Sequence, residues 1–437
     1  MRGDHASNRY ILLTWPVGQA ALTWYVRPGG DDNDDGQSAL TAFATLGRAL
    51  REVPLYAANR PSIIDVTGMT IAEAELLQLG GAALGGIIGT ADAVPAPPLV
   101  PGRRQVQIVA TPTVVQALNV TSDATNPTSG LVTLTVSDAI APGALDNLIV
   151  GGAGAGELAA IKSYTTGAGP NTIEIDATSA PSAPVRAYAP GASLTYGDPA
   201  QALDGAIHLH ALADWSFQWI AFASTAGAKP CALTIWPDAP VQLIGCVLDG
   251  LQIMAGGGAV HLYASVVKDA SLVLDGANVL LERTALRSLT ALDCNGSSAA
   301  GATTLTQSSV QGCPPWGGGI STSRFACAVT NSEVLDGVGN GIDCRFGVWT
   351  ISDALVATCG GSGIYVQDAS VSINSVGGAG NVGYGLRAAW FCNVNADATV
   401  TGTLGDVSLG DAGVFAWAEL PATDLERLAR VFYSGGV

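Results

Sequence analysis

The sequence predicts an all-β solenoid of stacked parallel coils, on three observations: a repeat of 19 to 24 residues, a second column of residues in step with it, and a composition poor in charge. The repeat has apolar or β-branched residues at positions one and three, usually a small residue at six and an aliphatic at eight. Its seven copies read VQLIGCVL, VHLYASVV, VLLERTAL, TTLTQSSV, CAVTNSEV, WTISDALV and VSINSVGG, starting at 241, 260, 279, 303, 327, 349 and 371. Such a unit makes a short strand, a bend and another strand. Each unit buries its face only against the coils above and below.

The second column is Gly319-Ile320, Gly341-Ile342, Gly363-Ile364 and Gly385-Leu386, at 22-residue steps. Each pair opens a further strand. Alternate side chains of a strand face opposite ways, so Ile342, Ile364 and Leu386 stack inward with Cys344, Val366 and Ala388. Asp343, Tyr365 and Arg387 then form one outward column, with Arg345 and Gln367 beside it. Charged residues make up 13% of the chain, which suits strands and tight bends better than helices.

A formal charge of −17 with 19 basic residues argues against nucleic-acid or anionic-membrane partners, because phosphate contacts need clustered Lys and Arg. The apolar run from Tyr10 to Trp24 is broken by Pro16 and Gln19, so neither an export signal nor membrane insertion is expected. All eight cysteines follow residue 230 without a CxxC pair or Cys/His zinc spacing. Reduced thiols and synthesis in a reducing cytoplasm are expected.

From the amino end, Trp24–Gly36 followed by Ala42–Leu50 reads as a strand, an acidic turn and a short amphipathic helix. This segment resembles the opening of right-handed parallel β-helix proteins of the pectate-lyase and phage tail-spike type, in which a "YVxPxGxDxxDG…AFxTLxxAL" stretch places a helix over the first coil. The resemblance covers about thirty residues here plus the solenoid pattern. It implies a right-handed parallel β-helix with an N-terminal helix cap. It also implies a phage or phage-like virion component (tail spike, fibre or baseplate protein) assembled in the bacterial cytoplasm. Such a component forms a homotrimer of side-by-side rods, contacts other virion proteins and meets bacterial surface polysaccharide in host recognition. The alternative on the same scaffold is a polysaccharide lyase or glycoside hydrolase.

The organisation expected is an N-terminal arm over 1–22, the cap and first coil over 23–94, an inserted small β-barrel or sandwich over 95–200, the main β-helix over 201–406 and a C-terminal cap over 407–437. The insert is read from a proline-rich entrance at Pro95–Pro101 and from strand-like runs between Asn-Pro, Pro-Gly and Gly-Pro turns. The aromatics of Trp215–Phe222 are expected to fill the wide first coils. Leu420–Val431, with Thr423 as N-cap, reads as a helix covering the last one.

Chemistry is sparse. Glycosidases need two carboxylates about 5–9.5 Å apart, yet Glu282, Glu333 and Asp343 stand singly among neutral or basic neighbours. Of the motifs expected in a polygalacturonase-like enzyme, Gly339-Asn340-Gly341 only approaches Gly-His-Gly, and no catalytic residue is assigned. Asp31, Asn33 and Asp35 match the first positions of a calcium loop, but position twelve is Ala42; turn-forming carboxylates explain them as well. No other cofactor is expected. His208 and His210 would share a strand face without a third metal ligand. The binding surface predicted is the outward patch of Asp343, Arg345, Tyr365, Gln367 and Arg387, whose guanidinium, amide and aromatic groups suit planar recognition of sugars or of a neighbouring subunit.

Overall fold

The computed structural model describes residues 21–53, 62–69, 71–72, 77–78, 104–110, 113–125, 132–142, 149–151, 158–175, 193–198, 201–204, 206–209, 213–223, 232–235, 240–255, 259–274, 278–293, 302–317, 326–389, 392–409 and 415–418. The expected arm up to residue 20 and the C-terminal helix, with Thr423, lie outside these residues, as do Ile320 and His210.

The chain is a parallel β-helix with three strands to a coil. The coil of Pro240–Ile244, Val247–Asp249 and Gln252–Ala255 pairs strand for strand with Ala259–Tyr263, Val266–Lys268 and Ser271–Leu274. That coil pairs in turn with Asn278–Glu282, Ala285–Arg287 and Ala291–Asp293. The eight-residue repeat is therefore the first strand, the bend and the start of the second. The Gly-Ile column opens the third, and Ile342–Arg345, Ile364–Gln367 and Tyr384–Ala389 stack as the sequence requires.

Repeat positions one and three face inward. Val241, Leu243, Val260, Leu262, Val279 and Leu281 are all buried in one continuous core. Trp215, Phe217 and Phe222 fill the earlier coils, the two phenylalanines meeting edge to face at 5.4 Å. The glycines of the second column are required by close approach. A Cβ at Gly341 would lie 2.6 Å from Val356 Cγ1 and 2.8 Å from Gly363 O, and one at Gly363 2.7 Å from Val400 Cγ1.

At position five the backbone turns left-handed in every copy: Gly245, Ala264, Arg283, Gln307, Asn331, Asp353 and Ser375 have φ between 47° and 61°. For a residue with a Cβ this costs about 1–2 kcal/mol. The ladder offsets it by continuing round the corner, where Ala264 N donates to Glu282 O at 3.0 Å and Asn331 N to Ser352 O at 3.1 Å.

Position six, small in sequence, carries a buried run of hydroxyls over four coils, Ser265, Thr284, Ser308 and Ser332. Thr284 N donates to Ser308 Oγ at 3.0 Å, and Ser308 N to Ser332 Oγ at 3.1 Å. Each hydroxyl donates in turn to a carbonyl of its own coil, as Ser308 Oγ does to Thr306 O at 2.7 Å. Backbone groups with no strand partner at the bend are thus satisfied inside the core.

The N-terminal cap forms as expected. Phe43 bridges Val26, and the helix Leu46–Glu52 starts at Thr45, whose Oγ1 accepts from Arg48 N at 3.1 Å. Leu46, Ala49 and Leu50 are buried in the same core as Ile64 and Ile108. The first ladder runs from Leu22–Tyr25 to Ser62–Asp65, then Arg104–Val109, Ala213–Gln218 and Pro240–Ile244.

Arg104–Val109 therefore belongs to the rod, although the sequence reading places it in the insert. The insert leaves after this strand and returns at Gln201–Asp204, which pairs with Ile71–Ala72 and Ile220–Ala223 in the second ladder. It occupies one bend of one coil. Its seven strands form a single antiparallel sheet, with Thr113–Thr125 paired to both Val132–Val136 and Ser193–Asp198. Among the described residues no helix is long and apolar enough to cross a membrane.

Candidate functional site

The insert docks on the outward face of the second ladder. Ala160 packs with Val247, Ala264, Val266 and Ala285, and its amide donates to Arg283 O at 3.1 Å. An Arg287 guanidinium nitrogen donates to the Ile161 carbonyl. The outward positions that strand alternation gives include Leu280, Ala285, Leu355 and Ala389; Leu280 and Ala285 are buried within one chain, while Leu355 and Ala389 are half-buried.

Glu333 is not a solitary outward acid either: it is buried where the insert meets the rod. Burial pushes its carboxyl above the usual range, Lys162 opposes that shift and Glu174 adds to it. Lys162, at 5% exposure, is the insert's side of this charge pair.

Beside the contact, insert and rod enclose an open cleft of about 700 Å³. The insert contributes Lys162, Ser163 and Tyr164. The rod contributes Lys268, Asp269, Arg287, Gln311 and Asp336. Asp269, Ser288, Gly312 and Asp336 are successive left-handed bend residues between second and third strands, one per coil. The cleft wall is therefore a ladder of polar groups at the coil spacing, about 4.8 Å. Lys268 is held by Asp249 at 3.1 Å, and Gln311 Nε2 donates to Asp336 Oδ2 at 3.1 Å. Asp269 and Asp336 lie three coils apart, about 14 Å, beyond the separation of a glycosidase pair.

The predicted patch is brought together by register: Asp343 pairs with Tyr365 and Tyr365 with Arg387, while Arg345 pairs with Gln367. Asp343, however, is 2% exposed, because Arg345 folds back over it. Arg345 Nε donates to Oδ1 at 2.9 Å and Nη2 to Oδ2 at 2.8 Å. Burial raises the Asp343 carboxyl against the pull of that guanidinium. Arg345 and Arg387 lie 5.8 and 5.6 Å from the Tyr365 ring centroid, and Tyr365 Oη donates to Gln367 Oε1 at 3.1 Å. The ring is engaged by its own neighbours. What the patch offers outward is the exposed guanidinium of Arg387, which has no carboxylate partner among the described residues.

The acidic turn is internally bonded. Asp31 Oδ1 accepts from Asn33 N and Nδ2, and Asp35 Oδ1 from Gln37 N and Thr41 Oγ1. The Thr41 bond holds the Asp35 carboxyl below its usual range. Asp32, which the sequence reading passed over, ties the turn to the helix through Ala44 N, Thr45 N and Thr45 Oγ1. Among the described residues no group of three or more His, Cys, Asp or Glu is placed to hold a metal ion.

His261 Nε2 lies 3.4 Å from Glu282 Oε2, with the Tyr263 ring 6.1 Å from the imidazole. Arg283 spans Tyr263 and Gln307, with bonds of 3.3 and 3.2 Å. The six described cysteines are buried and form no disulfide, and burial pushes the Cys246 thiol up to about 12.

No protein-family model and no curated protein matches the chain. Among solved structures it is similar to the Gp54 tailspike of Acinetobacter baumannii bacteriophage AP22, in complex with A. baumannii capsular saccharide. That match has 10% identity over 83% of this chain and a TM-score of 0.24, and spans 66% of the tailspike, just under two thirds. It is also similar to the tailspike protein gp49 from Pseudomonas phage LKA1, at 11% identity over 90% of this chain and 78% of that one, with a TM-score of 0.22. The class that fold and site define is a capped parallel β-helix carrying a docked antiparallel β-insert.

Proposed function

We propose that this protein is a tail-spike, fibre or baseplate-associated component of a phage or phage-like particle, assembled in the bacterial cytoplasm as a homotrimer, and that it contacts host surface polysaccharide in the cleft between insert and rod. The cleft is the observation that carries the reading. Its volume falls in the range of ligand sites, and it lies at a junction of two structural units, where such sites concentrate. Hydroxyl, amide, carboxylate and cationic groups line it in rungs, with Tyr164 as the aromatic. Rungs at the coil spacing offer hydrogen-bonding groups along the length of an extended glycan. The β-helix, the attached all-β insert and the buried cysteines together support the particle assignment. The exposed Arg387 offers a second contact, suited to an acidic sugar.

The test is capture on an array of bacterial capsular and lipopolysaccharide glycans, with Tyr164→Ala and Gln311→Ala as cleft variants and Arg387→Ala as the patch variant. Capture weakened about tenfold or more by either cleft substitution (about 1.4 kcal/mol) supports the reading. Capture that ignores both cleft variants, or no capture at all, overturns it. Sedimentation of the protein with particles from producing cells tests the virion assignment separately.

A further inference from the structure

In the cleft between insert and rod the carboxylates reach solvent and the cations are held back. Asp269 and Asp336 are exposed on the rod wall, with the exposed amide of Gln311 between them. Lys162, by contrast, is buried and stands against Glu333 and Glu174. Lys268 is half-buried and lies 3.1 Å from Asp249. Arg287 is half-buried too, its guanidinium engaged by the Ile161 carbonyl where the insert is seated. On the insert side Ser163 Oγ donates to Glu174, which places a further carboxylate behind that wall. Among the described residues, three cations in the cleft walls thus meet five carboxylates in or immediately behind them, on a chain of net charge −17.

We infer, on the glycan reading of this cleft, that it selects uncharged polysaccharide over acidic polysaccharide. A sugar hydroxyl donates as well as accepts, so the exposed carboxylates of Asp269 and Asp336 serve it as charge-assisted acceptors. A uronate or phosphate group only accepts. To hold one, Lys268 must leave Asp249, or Arg287 the carbonyl that seats the insert. The anion would also meet the two wall carboxylates, and like charges brought together at a binding surface cost several kcal/mol. Arg387 stands apart on the third ladder, so an acidic sugar in contact with it is outside the cleft.

The experiment sorts the capsular glycans of the array by charge. It adds each uronate-containing capsular polymer in native and carboxyl-reduced form, a matched pair that differs in charge alone. Binding is measured at low salt on the Arg387→Ala protein, so that only the cleft is read. Uncharged polymers should be captured, and a carboxyl-reduced polymer should bind about tenfold or more tightly than its native form. Asp269→Asn/Asp336→Asn removes both wall charges. Asparagine accepts the left-handed backbone of these two positions, at φ 49° and 52°, so the rod keeps its fold, with circular dichroism as the check. In this variant the preference for the reduced form should shrink, and a preference left unchanged overturns the inference. An acidic polymer held as tightly as its reduced form, and released by Tyr164→Ala, overturns the charge selection and leaves the cleft reading standing. Capture of neither form and of no uncharged polymer overturns the cleft reading, and the selection with it.

Discussion

Arg345 closes over Asp343 with two parallel bonds, so that a carboxylate only 3% exposed in its side chain is neutralised from the solvent side by a guanidinium that is 42% exposed. Burial holds the Asp343 carboxyl above its ordinary 3.8. The folded protein therefore binds this proton more tightly than the unfolded chain does. That contribution is full at low pH and is lost as pH rises from the unfolded value through the folded one. Arg345→Ala is expected to cost about 2–3 kcal/mol at neutral pH, below the ~3–5 of a wholly buried pair because water reaches the guanidinium. Urea unfolding at pH 4 and pH 7 checks the sign: the deficit should be smaller at pH 4.

The hydroxyl column makes a second prediction. Ser308→Ala leaves the Thr284 amide without its acceptor inside the core, at a cost of about 1–3 kcal/mol. Hydrogen exchange at that amide should quicken more than at Ala264, whose strand bond to Glu282 is untouched. Equal quickening at both would mean that the whole coil loosens and that the hydroxyl has no local role.

Gly341 is expected to reject even alanine. The added methyl would overlap Val356, Cys359 and the Gly363 carbonyl, all under 3 Å away. A loss of about 1–3 kcal/mol follows from overpacking, whereas Gly47→Ala, with nothing within 4 Å, should be neutral or stabilising. Thermal unfolding of the two variants side by side is sufficient.

At the docking face, Lys162→Met strands the buried Glu333 carboxylate. About 3 kcal/mol should be lost at pH 7 and less at pH 5, because burial already raises Glu333 and protonation removes the stranded charge. Lys162→Met/Glu333→Leu should recover much of the loss. A double variant no better than the single would show that the charge pair matters less than the shape of the contact.

Joining Ala110 to Gln201 through a Gly-Ser link should leave a cooperative, folded rod, since Arg104–Val109 and Gln201–Asp204 each keep both of their neighbours in the ladders. The rod should lose glycan capture and become less soluble, with Val266 and Ala285 uncovered. Loss of the unfolding transition would place the insert in the folding core.

The coil was legible in the sequence because each residue's environment recurs one repeat later. Val241, Val260 and Val279 announce the inward column, and Ile342 and Ile364 the third ladder. Position six was visible as small but not as polar in function, since Cys246, Ser265 and Thr284 share size before they share chemistry. The insert's seat was not legible. Arg287 meets Ile161 across 126 residues, and the outward alanines and valines it covers look in sequence like any rod face. Asp343 was placed in the right column but read as exposed, because alternation fixes which way a side chain leaves the strand and says nothing of what folds back over it.

The bend from which the insert departs is a socket. From Ala213–Gln218 to Val348–Ser352 one or two residues make that turn in each coil, and the ladder closes over them with the same hydrogen bonds. A domain hung from such a point can be exchanged for another without moving a strand of the rod. Because the coil beneath constrains only the two attachment points, at Val109 and Gln201, the register of the rod is independent of what is hung between them.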